Sequence, residues 1–160
     1  MDIIINKSKK LDSLKLLSKN TNINLINGIN LILMGNGTGK TRNASVLHNK
    51  LKEKNIDTKF IKNSKDLIDM PSNNFAAGKD FLIRLEMFSE KLILEKKAPI
   101  LIIDDILGFL DICIIKKILK ILLKNNLQII IFVSHSILTF LNEDTKSLIK
   151  ITNIKNNYNK

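Results

Sequence analysis

The run Ile29-Asn30-Leu31-Ile32-Leu33-Met34, followed at once by Gly35-Asn36-Gly37-Thr38-Gly39-Lys40-Thr41, decides how the chain is read. The first six residues are dense in aliphatic side chains, the composition of a strand buried on both faces. Glycines at 35, 37 and 39 then allow a tight turn without Cβ clashes. The next stretch, Thr41 to Lys54, is predicted to be a helix. Successive amides in such a loop point inward, and the helix N-terminus adds its dipole, so the segment forms a nest for a phosphate-like anion. Lys40 is placed to neutralise the outer phosphates of a polyphosphate chain, and Thr41 can offer its hydroxyl to Mg²⁺.

Strand, glycine-rich loop and helix in that order are the context of the P-loop pattern GxxxxGK followed by Ser or Thr. Gly35, Asn36, Gly37, Thr38, Gly39, Lys40 and Thr41 are therefore the candidate nucleotide-binding residues. The first glycine of the full pattern would fall at Met34, so the entry turn departs from it while the GTGKT core is kept.

A second signal lies downstream. PILIIDD, Pro99 to Asp105, is an apolar strand ending in two carboxylates. An acid at the tip of a strand beside the phosphate-loop strand can hold Mg²⁺, a role and a position that fit Asp104. The following acid, Asp105, can polarise an attacking water. Two carboxylates side by side repel unless a cation or a water network accommodates them. A third strand, Gln128 to Val133, ends at Ser134-His135, where a polar side chain can sense a terminal phosphate. His48, in the helix after the loop, reads as a surface residue.

The remaining elements fill in around these three. A helix is expected over 9–19, a β-prone stretch over 22–26, a strand over 57–61 and a short helix over 64–70. PSNNFAAG, 71–78, reads as a loop, and 79–97 as an amphipathic helix with Phe81, Leu82, Leu85, Phe88 and Leu92 on one face. Helices are expected over 112–124 and 136–142, and a last strand over 147–152. Continuously apolar strands alternating with helices predict an α/β fold: three layers around a mainly parallel sheet. At 160 residues the chain is read as one domain, 1–160, with an N-terminal arm at 1–21 and a frayed tail at 153–160.

Composition narrows the function classes. Cys113 is the only cysteine, which excludes an internal disulfide framework. No apolar run approaches the roughly 18 residues of a membrane helix, and Ile3-Ile4-Ile5 is too short for a signal core. The chain therefore reads as soluble, in the cytoplasm or an organelle matrix, with no integral membrane segment; docking to a membrane protein stays open. Lys plus Arg number 26 against 15 acids, a formal charge of +11. That balance attracts nucleic acid. It also fits a coding bias towards A and T, since Ile and Asn are over-used too and only Arg42 and Arg84 are arginines.

Taken together the motifs resemble the P-loop ATPases, and two families within them. NGTGKT, Asn36 to Thr41, is similar to the loop of the ATP-binding cassette superfamily, which includes RecF- and SMC-type heads. DDILGFLD, Asp104 to Asp111, resembles that family's Walker B and D-loop run, FVSH puts His135 at its switch-histidine position, and FAAGK, Phe75 to Lys79, looks like a worn signature loop. Ala76 or Ala77 stands where the signature serine would be, and no glutamine lies between the phosphate loop and Asp104. The spacing from loop to acids looks more like the AAA+ replication initiators and helicase loaders, with LIIDDI as Walker B and Ser134 as sensor. The resemblance implies ATP and Mg²⁺ as cofactors. It also implies Lys40, Asp105 and His135 as catalytic residues, Thr41 and Asp104 as metal ligands, and a homodimer or protein partner, with DNA as a further candidate. The activity it implies is ATP hydrolysis, slowed by the missing serine, driving dimerisation or partner remodelling in a reduced cassette-type subunit. The loader, and a nucleotide-gated subunit with little hydrolysis, are the alternatives.

Overall fold

The computed structural model describes residues 14–16, 21–23, 25–71, 75–125 and 127–154, with backbone alone for 14–16, 21–23 and Phe109. Its centre is a five-stranded sheet, all parallel: β3 (Ile29–Leu33), β4 (Thr58–Ile61), β5 (Ile100–Asp104), β6 (Ile129–Val133) and β7 (Ile149–Asn153). The order across the sheet is β4-β5-β6-β3-β7. A separate antiparallel pair, β1 (Leu14–Leu16) with β2 (Thr21–Ile23), precedes it. The helices are α1 (Lys40–Glu53), α2 (Ala77–Glu95), α3 (Ile112–Lys124) and the short α4 (Glu143–Ser147).

Side chains of a strand alternate between its faces, and here each set has its own helices. Ile32, Met34, Ile100, Ile102, Ile130 and Phe132 pack with Ala44, Leu47 and Leu51 of α1. Leu31, Leu33, Leu101, Ile103, Ile131 and Val133 pack with α2 and α3, through Phe81, Leu85, Ile115, Ile118 and Leu122 among others. The fold is thus a three-layer α/β domain around a parallel sheet. The handedness rule explains the division. From β3 the chain crosses the sheet to its far edge at β4, then steps back through β5 and β6, so right-handed crossovers put α1 on one face and α2 and α3 on the other.

Three expectations are corrected. Leu14 to Leu16, expected within a helix over 9–19, form a strand, because leucines spaced for a helix face also serve a strand when Thr21–Ile23 lies alongside to share hydrogen bonds; the rest of 9–19 lies outside the described residues. Of 64–70 only Ser64–Asp66 is helical, as a 3₁₀ turn, whereas the helix expected over 136–142 is present as a 3₁₀ helix at His135–Phe140. The strand carrying Asp104 is not beside the phosphate-loop strand, since β6 lies between them.

One buried cation fixes the crossover into α2. Arg84, 1% exposed, donates through Nε to Asp80 at 2.9 and 3.0 Å, through Nη1 to the Ile68 carbonyl at 2.7 Å, and through Nη2 to the carbonyls of Met70 and Pro71. Asp80 also accepts from the Ser64 hydroxyl. That hydroxyl, and then the Arg84 guanidinium, hold the Asp80 carboxyl below its ordinary value. A depressed folded-state value stabilises the fold above the unfolded pKa, about 3.9, and the gain is lost as pH falls through the lower folded value. Replacing Asp80 with Asn should therefore lower stability at pH 7 in urea unfolding, with the deficit shrinking below about pH 4. A deficit independent of pH would show that the carboxylate charge contributes nothing. Arg84→Met should cost about 3 kcal/mol, because it strands Asp80 and three carbonyls.

Candidate nucleotide site

The topology opens a crevice at one end of the sheet. β3 and β6 are neighbours, yet the chain leaves β3 towards β4 and leaves β6 in the opposite direction, past β3, to β7. Adjacent strands whose connections diverge in this way leave a gap at their carboxyl ends, the usual ligand position of open α/β sheets. The loop Met34–Gly39 and the pair Ser134-His135 flank that gap.

The loop is built for sharp backbone reversal at two of its glycines. Gly37 and Gly39 have φ of 71° and 86°, values that L side chains resist. Met34 and Gly35 are outside that region. Met34 is buried, and its N–H continues the ladder to the Val133 carbonyl at 3.0 Å. A residue that still extends the strand does not need to be glycine, which explains why the pattern's first glycine is dispensable here. The Gly35 carbonyl closes the loop: it accepts from Thr38 N–H at 3.4 Å, Thr38 Oγ1 at 2.7 Å and Lys40 Nζ at 3.3 Å. Behind it the buried Asn43 donates to the Gly39 carbonyl at 3.0 Å.

α1 starts at Lys40 with Gly39 as its cap residue, no side-chain cap and no acid in its first turn. Its first amides and the positive end of its dipole are left for an anion. Thr41 and Arg42 stand exposed on that turn.

Lys40 is the centre of the arrangement. Its ammonium, on a side chain only 8% exposed, reaches Asn36 Oδ1 at 3.2 Å, the Gly35 carbonyl at 3.3 Å and Asp105 Oδ2 at 3.3 Å. The fold thus brings the loop lysine and the acidic strand end together across β6. Asp105 is held in the left-handed region, φ 50°, with its N–H on the Phe132 carbonyl at 2.8 Å. Asp104 Oδ1 and Asp105 Oδ1 are both buried and accept no hydrogen bond. Buried carboxylate oxygens without donors suit a hard cation or its water shell. Mg²⁺ typically takes one or two carboxylates plus substrate phosphates, and the donors present here fit that habit.

His135 is turned elsewhere. Its Nε2 lies 2.9 Å from Asn153 Oδ1, at the end of β7. β6 and β7 flank β3, so this bond passes over the strand that delivers the loop. Ser134 Oγ bonds Ser136 Oγ at 2.6 Å. Asp111, matched by resemblance to a D-loop, caps α3 by accepting from Cys113 N–H at 2.7 Å. Gly78 of FAAGK abuts Leu110 and Ile114 at the start of α3 in this same chain. His48 is half-buried rather than a surface residue: it bonds Thr58 at 2.9 Å and tilts against Phe60, and burial, then nearby Lys52, lower its pKa.

Three residues of the site escape sequence reasoning. Gly108 is one, because a Cβ there would come within 3.2 Å of Asp105 Oδ1 and 3.8 Å of Ser134 Oγ. Asn153 and Asn43 are the others. In a chain rich in Asn neither carries a motif; the buried position of Asn43, one turn after Lys40, is the only signal available.

No protein-family model matches the sequence, and no curated protein matches it. Among solved structures the chain is similar to C. elegans PCH-2, with a TM-score of 0.44 and 16% identity over 79% of this chain. The match spans 35% of that chain. No helix among the described residues is long and apolar enough to cross a membrane.

A methyl group added at Gly37 would meet no atom within 4 Å, so substitution there tests backbone conformation alone. Gly37→Ala should cost about 1–2 kcal/mol in urea unfolding, and Gly37→Asn less, since Asn tolerates the left-handed region better. Equal stability of all three proteins would place the loop in another conformation.

Proposed function

We propose that the chain binds ATP with Mg²⁺ in the loop Gly35–Thr41 and hydrolyses it slowly. The observation that carries this reading is the approach of Lys40 to Asp105, 3.3 Å, beside two buried carboxylate oxygens that lack donors. When nucleotide enters, the phosphate oxygens take the place of Asn36 and Asp105 around the Lys40 ammonium. The amides of the loop and of the first turn of α1 receive the remaining phosphate charge. Thr41 and Asp104 are the residues that would hold Mg²⁺, which supplies charge neutralisation of the phosphates. Asp105, released from Lys40, orients and polarises the water. Ser134, at the end of β6, would meet the terminal phosphate by giving up its bond to Ser136, and His135 would do so only on leaving Asn153. Positioning and electrostatics of this kind account for most of phosphoryl-transfer catalysis.

Of the two family resemblances, one observation supports the loader-like form. The stretch from Arg42 to Ile103 builds the rest of α1, then β4, a 3₁₀ turn and α2, and these elements pack against the sheet without a separate subdomain among the described residues. The cassette reading instead rests on Asn36, Leu110-Asp111 and His135. The two differ in what ATP drives: closure of a dimer in the cassette, remodelling of a partner in the loader. Arg84 serves the crossover loop, so Arg42 is the arginine left at the surface for a phosphate of this or a neighbouring subunit.

Lys40→Ala should weaken ATP binding at least about tenfold in calorimetry, the scale of a lost charge-assisted contact. Unchanged affinity would remove the proposed role of the loop. Asp105→Asn should keep ATP binding, because it also removes a competitor for Lys40, while lowering phosphate release about 10²-fold, the scale of general-base assistance. Undiminished phosphate release would take Asp105 out of the chemistry.

A further inference from the structure

α3 packs against the sheet through Ile115, Ile118, Leu119 and Leu122 and exposes Lys116, Lys117, Lys120 and Lys124. Lys116, Lys120 and Lys124 follow at intervals of four and share one face of the helix. The helix contains no acid, and none of these lysines enters an ion pair among the described residues. Beside the stripe, α3 and the segment after β6 enclose a groove of about 320 Å³. Its apolar lining comes from Leu119, Leu123, Phe140 and Leu141, and Lys116 and Lys120 line it from α3. Asn142 and Thr145 line it from the other side without charge. Of the acids that follow Asn142, Glu143 is held by Lys146 at 2.7 Å. The groove is remote from α1, which covers the opposite face of the sheet.

We propose that this groove docks an acidic amphipathic segment of a protein partner, with aliphatic or aromatic side chains in the groove and carboxylates along the α3 lysines. Charge selects this occupant. A second copy of the chain, at +11, is repelled, and the chain's own termini carry further lysines, among them Lys7, Lys9, Lys10, Lys155 and Lys160. A nucleic-acid backbone would satisfy the lysines but leave the half-buried Leu123 and Phe140 uncovered above the buried floor of Leu119 and Leu141. A peptide with an apolar edge and an acidic edge satisfies both, in the manner of helix-in-groove recognition, and the lysines steer its approach.

The test uses the full chain and a fluorescein-labelled helical peptide with glutamates on one face and leucines on the other. A scrambled peptide of the same composition and an oligo-dT strand serve as comparison probes. Anisotropy should show the amphipathic peptide binding more tightly than the scrambled one. The pair Lys116→Glu and Lys120→Glu should weaken it about tenfold. The pair Lys52→Glu, in the last turn of α1, and Lys54→Glu, at its C-cap, with the same change in net charge, should alter it less than about twofold. Equal binding of both peptides, equal loss from both lysine pairs, or no peptide binding would overturn the proposal. So would an oligo-dT affinity that falls with the α3 pair while peptide affinity does not, since the stripe would then be a nucleic-acid surface. All four lysines are exposed, and thermal unfolding of each double variant checks that the fold is kept.

Discussion

An ion pair between Lys40 and Asp105 joins the end of β3 to the end of β5, two strands that do not touch. An ammonium this buried is costly unless opposed by charge and hydrogen bonds, so the pair constrains everything between. β6 must end level with its neighbours, and it does: Val133 is in register with Leu33, and Phe132 with Asp104. The residue after Asp105 cannot continue the strand, because Asp105 turns left-handed to aim its carboxylate back over β6. A Cβ at Gly108 would crowd that carboxylate, coming within 3.2 Å of Asp105 Oδ1. The chemistry proposed for the crevice follows from this arrangement, in which one cation and two acids are held close before any ligand arrives.

The sheet supplies the rigidity that such a pair requires. β3, β5 and β6 are buried on both faces, and their odd and even residues enter separate cores. Any one-residue slip of β5 would exchange those cores and carry Asp105 away from Lys40. The polar exception inside β3, Asn30, is satisfied at the opposite end from the site: its amide group bonds the carbonyls of Ile26, Gly28 and Ile129, and Ile26 N–H returns a bond to it. The strand therefore contains no unpaired polar side chain in its core, and its polar function is concentrated at the loop that follows.

What was legible in the sequence and what was not divides along local and long-range physics. INLILM, PILIID and QIIIFV announce buried parallel strands because continuous aliphatic runs of that length suit little else. α2 and α3 follow from their apolar spacing. Gly37, Gly39 and Lys40 are legible because the backbone geometry they serve is local. The position of β6 between β3 and β5 is not written in any one segment; it depends on which strand edges find each other. Leu14 to Leu16 misled because a short leucine-rich stretch fits either period, and its partner Thr21–Ile23 decided. Asn153 and Gly108 were invisible for a related reason, since their importance comes from a neighbour far away in sequence. His135, expected at a terminal phosphate, is tied to Asn153, a contact between two strand ends that no linear pattern records.

The central claim is that this crevice accepts a triphosphate chain and its metal. Calorimetric titration of ATP into the full chain, with Mg²⁺ and then with the metal chelated, addresses it most directly. Saturable one-to-one binding that weakens on chelation is the result expected from a loop lysine, an uncapped helix and two donor-free carboxylates. No heat of binding at millimolar ATP in either condition would contradict it.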